Sequence, residues 1–321
     1  MKRNNFVKFA YAVLGYNVLV ILWGALVRHT GSGAGCGSHW PLCNGEVIPL
    51  SPRLETIIEF VHRLSSGISL ALVLGLVIWS FEAFPKGHAV RKTTVFSLLF
   101  TLVSAAVGAW LVLAGLVEKD DSHARAITLA LHLVNTFFLL GSLTLTALWG
   151  GNEVETSFDK SRRSIGWWSS IALLATIFAG MSGAVTSLGD TLFPPGSTAE
   201  VLREGLSPTA HFLIRLRLWH PFISIVAGVS LLIFVALIHE KRLGGAIPYA
   251  RFVATILGLQ VLLGFVSTWL RVPIWMAMTH LFLADILWIG LVITTAKALS
   301  GKEIAPKQVA EEVLVKQPTS S

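Results

Sequence analysis

Eight stretches of this chain are long and apolar enough to cross a lipid bilayer, and that restricts the fold more than any other feature. Spanning takes about 20 predominantly apolar residues in a helix. Such runs lie roughly at 9–27, 64–82, 93–117, 126–149, 166–187, 217–238, 251–270 and 274–296. Composition agrees, since 54% of the 321 residues are hydrophobic and only 13% are charged, unlike an ordinary soluble domain. The expected fold class is an all-α membrane protein with eight transmembrane helices. Lys2, Arg3 and Lys8 precede the first run as they would a secretory signal. No small-residue cleavage site follows, so that helix is expected to be retained.

Basic residues accumulate on the cytoplasmic side of membrane proteins. With the N-terminus inside, the cytoplasmic segments hold Lys2, Arg3, Lys8, Lys86, Arg91, Lys92, Lys160, Arg162, Arg163, Lys241, Arg242, Arg251, Lys297, Lys302, Lys307 and Lys316, sixteen of the 25 Lys and Arg. A cell-membrane, multi-pass protein with both termini cytoplasmic is expected, and topology accounts for the net charge of +7 without nucleic acid. The polar tail at 301–321 reads as a disordered cytoplasmic end.

The two halves repeat. The Gly-Ala-Leu-Val run at Gly24 matches Gly-Ala-Val-Thr at Gly183, 159 positions on. His62 and His220 are 158 apart, and His132 and His280 are 148 apart, the difference falling in a longer loop around Glu118–Ser122. Two pseudo-symmetric four-helix bundles follow, one in 1–150 and one in 151–300, as parallel repeats about an axis along the membrane normal.

Parity then places the histidines. His62, His132, His220 and His280 lie near the beginnings of the even-numbered segments, which all enter from the extracytoplasmic side, so His62 can face His132 and His220 can face His280. Each alone could be an interfacial residue bonded to a loop carbonyl; four in register point to metal or heme ligation. Paired imidazoles without thiolates or several carboxylates suit bis-His heme better than zinc. Ser66, Gly67, Gly108, Gly228 and Gly264 are small enough to admit a macrocycle or simply to pack helices.

The halves differ in charge. Glu59 precedes His62 by three residues, on the same helical face, whereas Arg217 holds the equivalent position before His220. A carboxylate there can move protons or stabilise positive charge during oxidation; an arginine can pair with heme propionates. Glu59 as an ion-pair partner of Arg63 or Arg28, and Arg217 as a snorkelling residue, stay open. Cys36 and Cys43, the only cysteines, sit in a Gly- and Pro-rich loop on the oxidising side, where a disulfide is favoured. A zinc site with His39 lacks a fourth ligand. The Gly31–Gly35 run follows a membrane helix, so it is not a nucleotide-binding loop. Asp285 lies five residues after His280, off that histidine's face, and is expected to pair with a neighbouring Trp or a backbone group. His29, His39, His123 and His211 are expected to be solvated, with His123 and His211 placed to cover a heme edge.

The stretch from Gly24 to Cys36 (GALVRHTGSGAGC), continued by Trp40-Pro41-Leu42-Cys43, Glu59-Phe-Val-His62-Arg63 and the remaining three histidines, resembles the heme A synthase family. The resemblance runs from about Tyr11 to Lys297. It implies an enzyme oxidising the C8 methyl of heme O to a formyl group with water as oxygen source, supplying terminal oxidases. It further implies that His62 and His132 hold the substrate, His220 and His280 a resident heme b, with Glu59 the catalytic carboxylate and Cys36–Cys43 the loop disulfide. Heme O synthase and oxidase assembly factors are the implied partners. Some members have a second cysteine pair in the C-terminal half, which this chain lacks. The rival readings are a di-heme cytochrome b passing electrons from quinol and a non-redox transporter. Parity puts both histidine pairs near one face, which disfavours the first, and the apolar midplane disfavours the second.

Overall fold

A computed structural model describes residues 2–50, 52–151 and 162–300. The tail at 301–321 and the connection at 152–161 lie outside the described residues, and with them the expected disordered end. The described chain is helical: α1 (Lys2–His29), α2 (Leu54–Ala83), α3 (Ala89–Leu113), α4 (His123–Gly150), α5 (Arg163–Leu192), α6 (Thr198–Leu206), α7 (Phe212–Arg217), α8 (Trp219–Glu240), α9 (Ile247–Trp269) and α10 (Ile274–Leu299). No named β-strand occurs among the described residues. With α7 and α8 taken together, eight helices are long and apolar enough to cross a membrane, matching the expected number and order. Helices are the spanning form because hydrocarbon offers no partner to a free backbone N–H or C=O.

The helices run past the hydropathy boundaries. α2 begins at Leu54, ten residues before the apolar run at 64, so His62 sits about two turns inside a helix, not at its edge. His132 and His280 are likewise inside α4 and α10. α7 and α8 meet at Leu218, two residues before His220. Pro221 accounts for the interruption, because its missing N–H and its ring remove the bond to the carbonyl four residues earlier, that of Arg217.

Helix α1 packs on α2 and α4, α2 on α3, and α3 on α4; α5 packs on α8 and α10, and α9 on both α8 and α10. Buried hydroxyl and amide pairs tie the first four together. Ser69 donates to Asn17 (2.8 Å), Thr146 to Thr93 (2.8 Å), and Asn135 to Phe100 O (2.8 Å) and Ser104 (2.7 Å). The two sets join through α4, which packs on both α5 and α10. Trp288 of α10 stacks on Phe137 of α4 at 4.8 Å and donates its indole N–H to Phe137 O at 2.6 Å. Gly180 of α5 permits the other approach, since a Cβ there would lie 2.7 Å from Leu133 and Phe137. The outward faces stay apolar, with Trp167 67% and Phe222 62% exposed, as lipid contact requires.

α6 is an element the apolar pattern did not reveal. Ser197 caps it, accepting from Glu200 N while Glu200 Oε2 accepts from Ser197 N at 2.6 Å. The hydrogen bonds from the cap hold the Glu200 carboxyl below its usual range.

Candidate functional site

The four expected histidines line one continuous cavity of about 2060 Å³, walled by α1–α5 and α8–α10. His62 and His132 lie within electrostatic reach of each other, and so do His220 and His280. The pairs drawn from repeat and parity are therefore the pairs the fold brings together. Each occupies one set of packed helices, and the cavity is common to both.

Glycines make the space around three of the rings. A Cβ at Gly24 would lie 2.9 Å from His62 Cε1, at Gly183 3.1 Å from His220 Cε1, and at Gly264 3.2 Å from His280 Cε1. Of these, Gly264 was expected to thin the wall; Gly24 and Gly183 had served only as markers of the repeat. Gly67, Gly108 and Gly228 also line the cavity; the first two would admit a Cβ without contact, and one at Gly228 would lie 3.7 Å from Leu257.

The two pairs are held differently. Ser182 Oγ lies 2.9 Å from both Ala179 O and His220 Nδ1; with its hydrogen on the carbonyl it accepts from Nδ1, and Nε2 is then the lone-pair nitrogen. Gln260 Nε2 lies 3.1 Å from His280 Nε2. His62, His132 and His280 all have buried Nδ1 atoms with no hydrogen-bond partner among the described residues, so His220 alone of the four has its Nδ1 engaged. Paired imidazoles with glycine-made space and unpartnered ring nitrogens are donors suited to an axially ligated tetrapyrrole. No group of three or more His, Cys, Asp or Glu suited to a bare metal ion occurs among the described residues.

Glu59 is buried, 3% exposed, on the cavity wall. Its Oε1 takes Arg63 at 2.6 Å, and its Oε2 accepts the backbone N–H of Cys36 at 2.7 Å. Arg63 Nη1 donates onward to His39 O (2.6 Å) and Leu42 O (2.8 Å), so the pair docks the loop onto α2. Thr56 donates to Gly35 O (2.8 Å) beside them, where Gly35 packs against the α2 backbone too closely for any side chain. Cys36 and Cys43 form a disulfide, which removes the zinc alternative; His39 is exposed.

Three expectations are corrected. Arg217 does not face the cavity: it pairs with Asp190 (2.6 Å) and donates to Phe193 O (2.7 Å), because the helix break separates it from the face of His220. Asp285 is fully buried, and neither carboxyl oxygen has a partner among the described residues; the neighbouring Trp288 gives its N–H to Phe137 O instead. His29 is not solvated. Its Nδ1 meets Thr191 Oγ1 at 3.1 Å and its Nε2 meets Ser187 Oγ at 3.2 Å, both on α5. His123 is exposed and stacks on Phe212 at 3.7 Å, while His211 lies 3.4 Å from Asp121. These contacts link the ends of the two sets of helices.

Known proteins place the site in context. The COX15-CtaA family model, described as cytochrome oxidase assembly protein, matches residues 7–292. The chain belongs to this family. A protein of Thermus thermophilus named protoheme IX farnesyltransferase is 45% identical over 294 residues, 91% of this chain and 48% of that protein. A heme A synthase of Halalkalibacterium halodurans is 40% identical over 132 residues, 41% of this chain and 42% of that protein. One of Shouchella clausii is 46% identical over 98 residues, 30% of this chain and 33% of that protein. The chain spans about half or less of the length of the curated relatives it matches.

Proposed function

We propose that the chain acts as a heme A synthase, oxidising the C8 methyl of heme O to a formyl group. The observation that carries this reading is the shared cavity with two facing histidine pairs, the first of which has the Glu59 carboxylate on the wall one helical turn before His62, where the second half has Arg217 in the equivalent place. The COX15-CtaA match and the heme A synthase relatives support it. Oxidation of a methyl to a formyl group with water as oxygen source releases four electrons and four protons. The site therefore needs an electron outlet and a proton acceptor.

In this reading His62 and His132 hold heme O within the bundle of residues 1–150. His220 and His280, in the bundle of 151–300, hold a resident heme b. That group, when bound, supplies a one-electron relay toward an external acceptor. Ser182 holds the His220 tautomer with Nε2 free for iron, and Gln260 would release His280 Nε2 on loading. Glu59 steers water and takes protons, exchanging its bond to Arg63 or Cys36 as it does so. Cys36–Cys43 closes the loop over that carboxylate. We place the cavity end bearing the disulfide at the extracytoplasmic face of a cell membrane, with both termini cytoplasmic. Heme O would arrive from the enzyme that farnesylates protoheme, a chemistry named in the Thermus relative, and heme A would leave to oxidase assembly factors.

Extraction of pigment from the purified chain, made in cells that supply heme O, tests the reading. Heme B together with heme O or heme A supports it; heme B alone would favour an electron-carrying cytochrome, and no heme a transporter. Glu59→Ala is expected to keep heme b and accumulate heme O or its hydroxylated form. A normal yield of heme A from that variant would remove Glu59 from the mechanism.

A further inference from the structure

Six acidic and arginine side chains line the cavity: Arg28, Arg63, Arg125, Glu59, Glu118 and Asp190. Arg63 is neutralised by Glu59 at 2.6 Å, and Asp190 by Arg217 at 2.6 Å from behind the wall. Arg28 and Arg125 remain. Arg125 is 4% exposed, and its Nη1 donates to backbone carbonyls, Glu118 O (2.8 Å) and Asp120 O (2.6 Å); the Asp120 carboxylate is within electrostatic reach, but its Oδ1 is occupied by Ser122 N and Oγ. Arg28 Nη2 donates to the neutral Ser187 Oγ (2.8 Å). Both Nε atoms are buried without a hydrogen-bond partner among the described residues. The two guanidinium groups are close enough to repel each other, and Asp190, though within electrostatic reach of Arg28, is already taken. Glu118 is exposed at the rim and forms no ion pair with either among the described residues.

Two neighbouring cations facing an apolar cavity are costly unless negative charge joins them. Their placement says which ligand would bring it. Arg125 precedes His132 by seven residues, two turns of α4 on the same face and ~10.5 Å nearer the disulfide end. Arg28 follows Gly24, which abuts the His62 ring, by one turn of α1 and ~6 Å in the same direction. At the repeat offsets, the second half has Ser187 opposite Arg28 and Pro273 opposite Arg125, both neutral.

We propose that Arg28 and Arg125 form a dicarboxylate-binding site that holds the two propionates of the tetrapyrrole ligated by His62 and His132. This rests on the reading of the first pair as a tetrapyrrole site. It gives the first half the propionate role expected of Arg217, whose guanidinium is paired with Asp190. The site also orients the substrate. The methyl to be oxidised shares a pyrrole ring with one propionate, so anchoring the carboxylates toward the disulfide end carries that methyl toward Glu59, one turn beyond His62 in the same direction. The second pair, without such cations, would take its heme in an orientation set by other contacts.

The test compares two probes, ferric protoporphyrin IX and its dimethyl ester, titrated spectrophotometrically into the purified full-length chain. The first-site component is the signal lost in His62→Ala. The native chain is expected to prefer the diacid by about tenfold or more, as charge-assisted hydrogen bonds imply. Arg28→Gln and Arg125→Gln are expected to bring that ratio toward one, leaving ester binding unchanged; Arg28→Lys and Arg125→Lys are expected to retain most of it. An unchanged ratio in the glutamine variants, or equal weakening of both probes, overturns the proposal while leaving the histidine reading intact. Failure of the native chain to bind either probe overturns both.

Discussion

Gly24 and Gly183 are where single atoms decide which half of the cavity responds. A methyl at Gly24 meets His62 Cε1 at 2.9 Å, and one at Gly183 meets His220 Cε1 at 3.1 Å. Neither ring can stay in place beside it, because packed interiors have no slack for an added carbon. Gly24→Ala is expected to impair heme O binding with the resident heme b spectrum unchanged. Gly183→Ala is expected to do the reverse, with a shifted or weakened low-spin spectrum. Visible spectra of the two purified variants check this; identical changes in both would mean the pairs do not act separately. At this scale the histidines were legible because register along apolar runs is a property of sequence. His29, Arg28 and Arg217 were not. Their partners, Ser187, Thr191 and Asp190, lie on α5, and for His29 and Arg28 that is across the junction of the two halves, a contact that no local pattern encodes. Asp285 was misread for the opposite reason: a neighbour at helical spacing was within reach, but Trp288 was already committed to Phe137 O.

At the scale of the element, hydropathy found every spanning helix and misplaced most of their ends. The polar turns of α2 before residue 64 are helical because Thr56, Glu59 and Arg63 satisfy the disulfide loop from one helical face, a role hydropathy counts as non-membrane. α6 carried its signal openly in the Ser197–Glu200 capping box, but it is too short and polar to register beside the long apolar runs. The start of α3 depends on a titratable cap. His88 Nδ1 accepts from Val90 N at 3.3 Å, and partial burial, with Arg3 nearby, holds its imidazole below the ordinary value. A depressed histidine value means the neutral ring is the form the fold prefers. Its contribution is present above the ordinary imidazole range and is lost as pH falls through the depressed value. Amide hydrogen exchange at the first turn of α3 is expected to speed up across that acid window, and His88→Asn, which caps without titrating there, is expected to flatten the dependence. Exchange that stays pH-dependent beyond its intrinsic rate in His88→Asn would place the cause elsewhere.

For the whole molecule, the repeat and the parity of eight spans pointed to eight spanning helices and to two histidine pairs near one end. They did not foresee that the pairs share one cavity. That follows from how the halves meet: α4 packs on both α5 and α10, with Gly180 and the Phe137–Trp288 stack bringing the helix axes close, so the two pockets open into each other. A shared cavity with unequal ends has a functional consequence that separates binding from turnover. If the second pair holds the resident heme, removing either ligand should empty that end without dismantling the first, where His62, His132 and the Glu59–Arg63 pair are untouched. His220→Ala and His280→Ala are therefore each expected to lose the low-spin heme b spectrum, to still carry heme O, and to yield essentially no heme A. Reduced-minus-oxidised spectra and chromatography of extracted pigments measure all three. An unchanged heme b spectrum in both variants would mean the ends are assigned in reverse, and the same experiment on His62→Ala and His132→Ala would then show the loss, since those rings are the other paired imidazoles on the cavity wall.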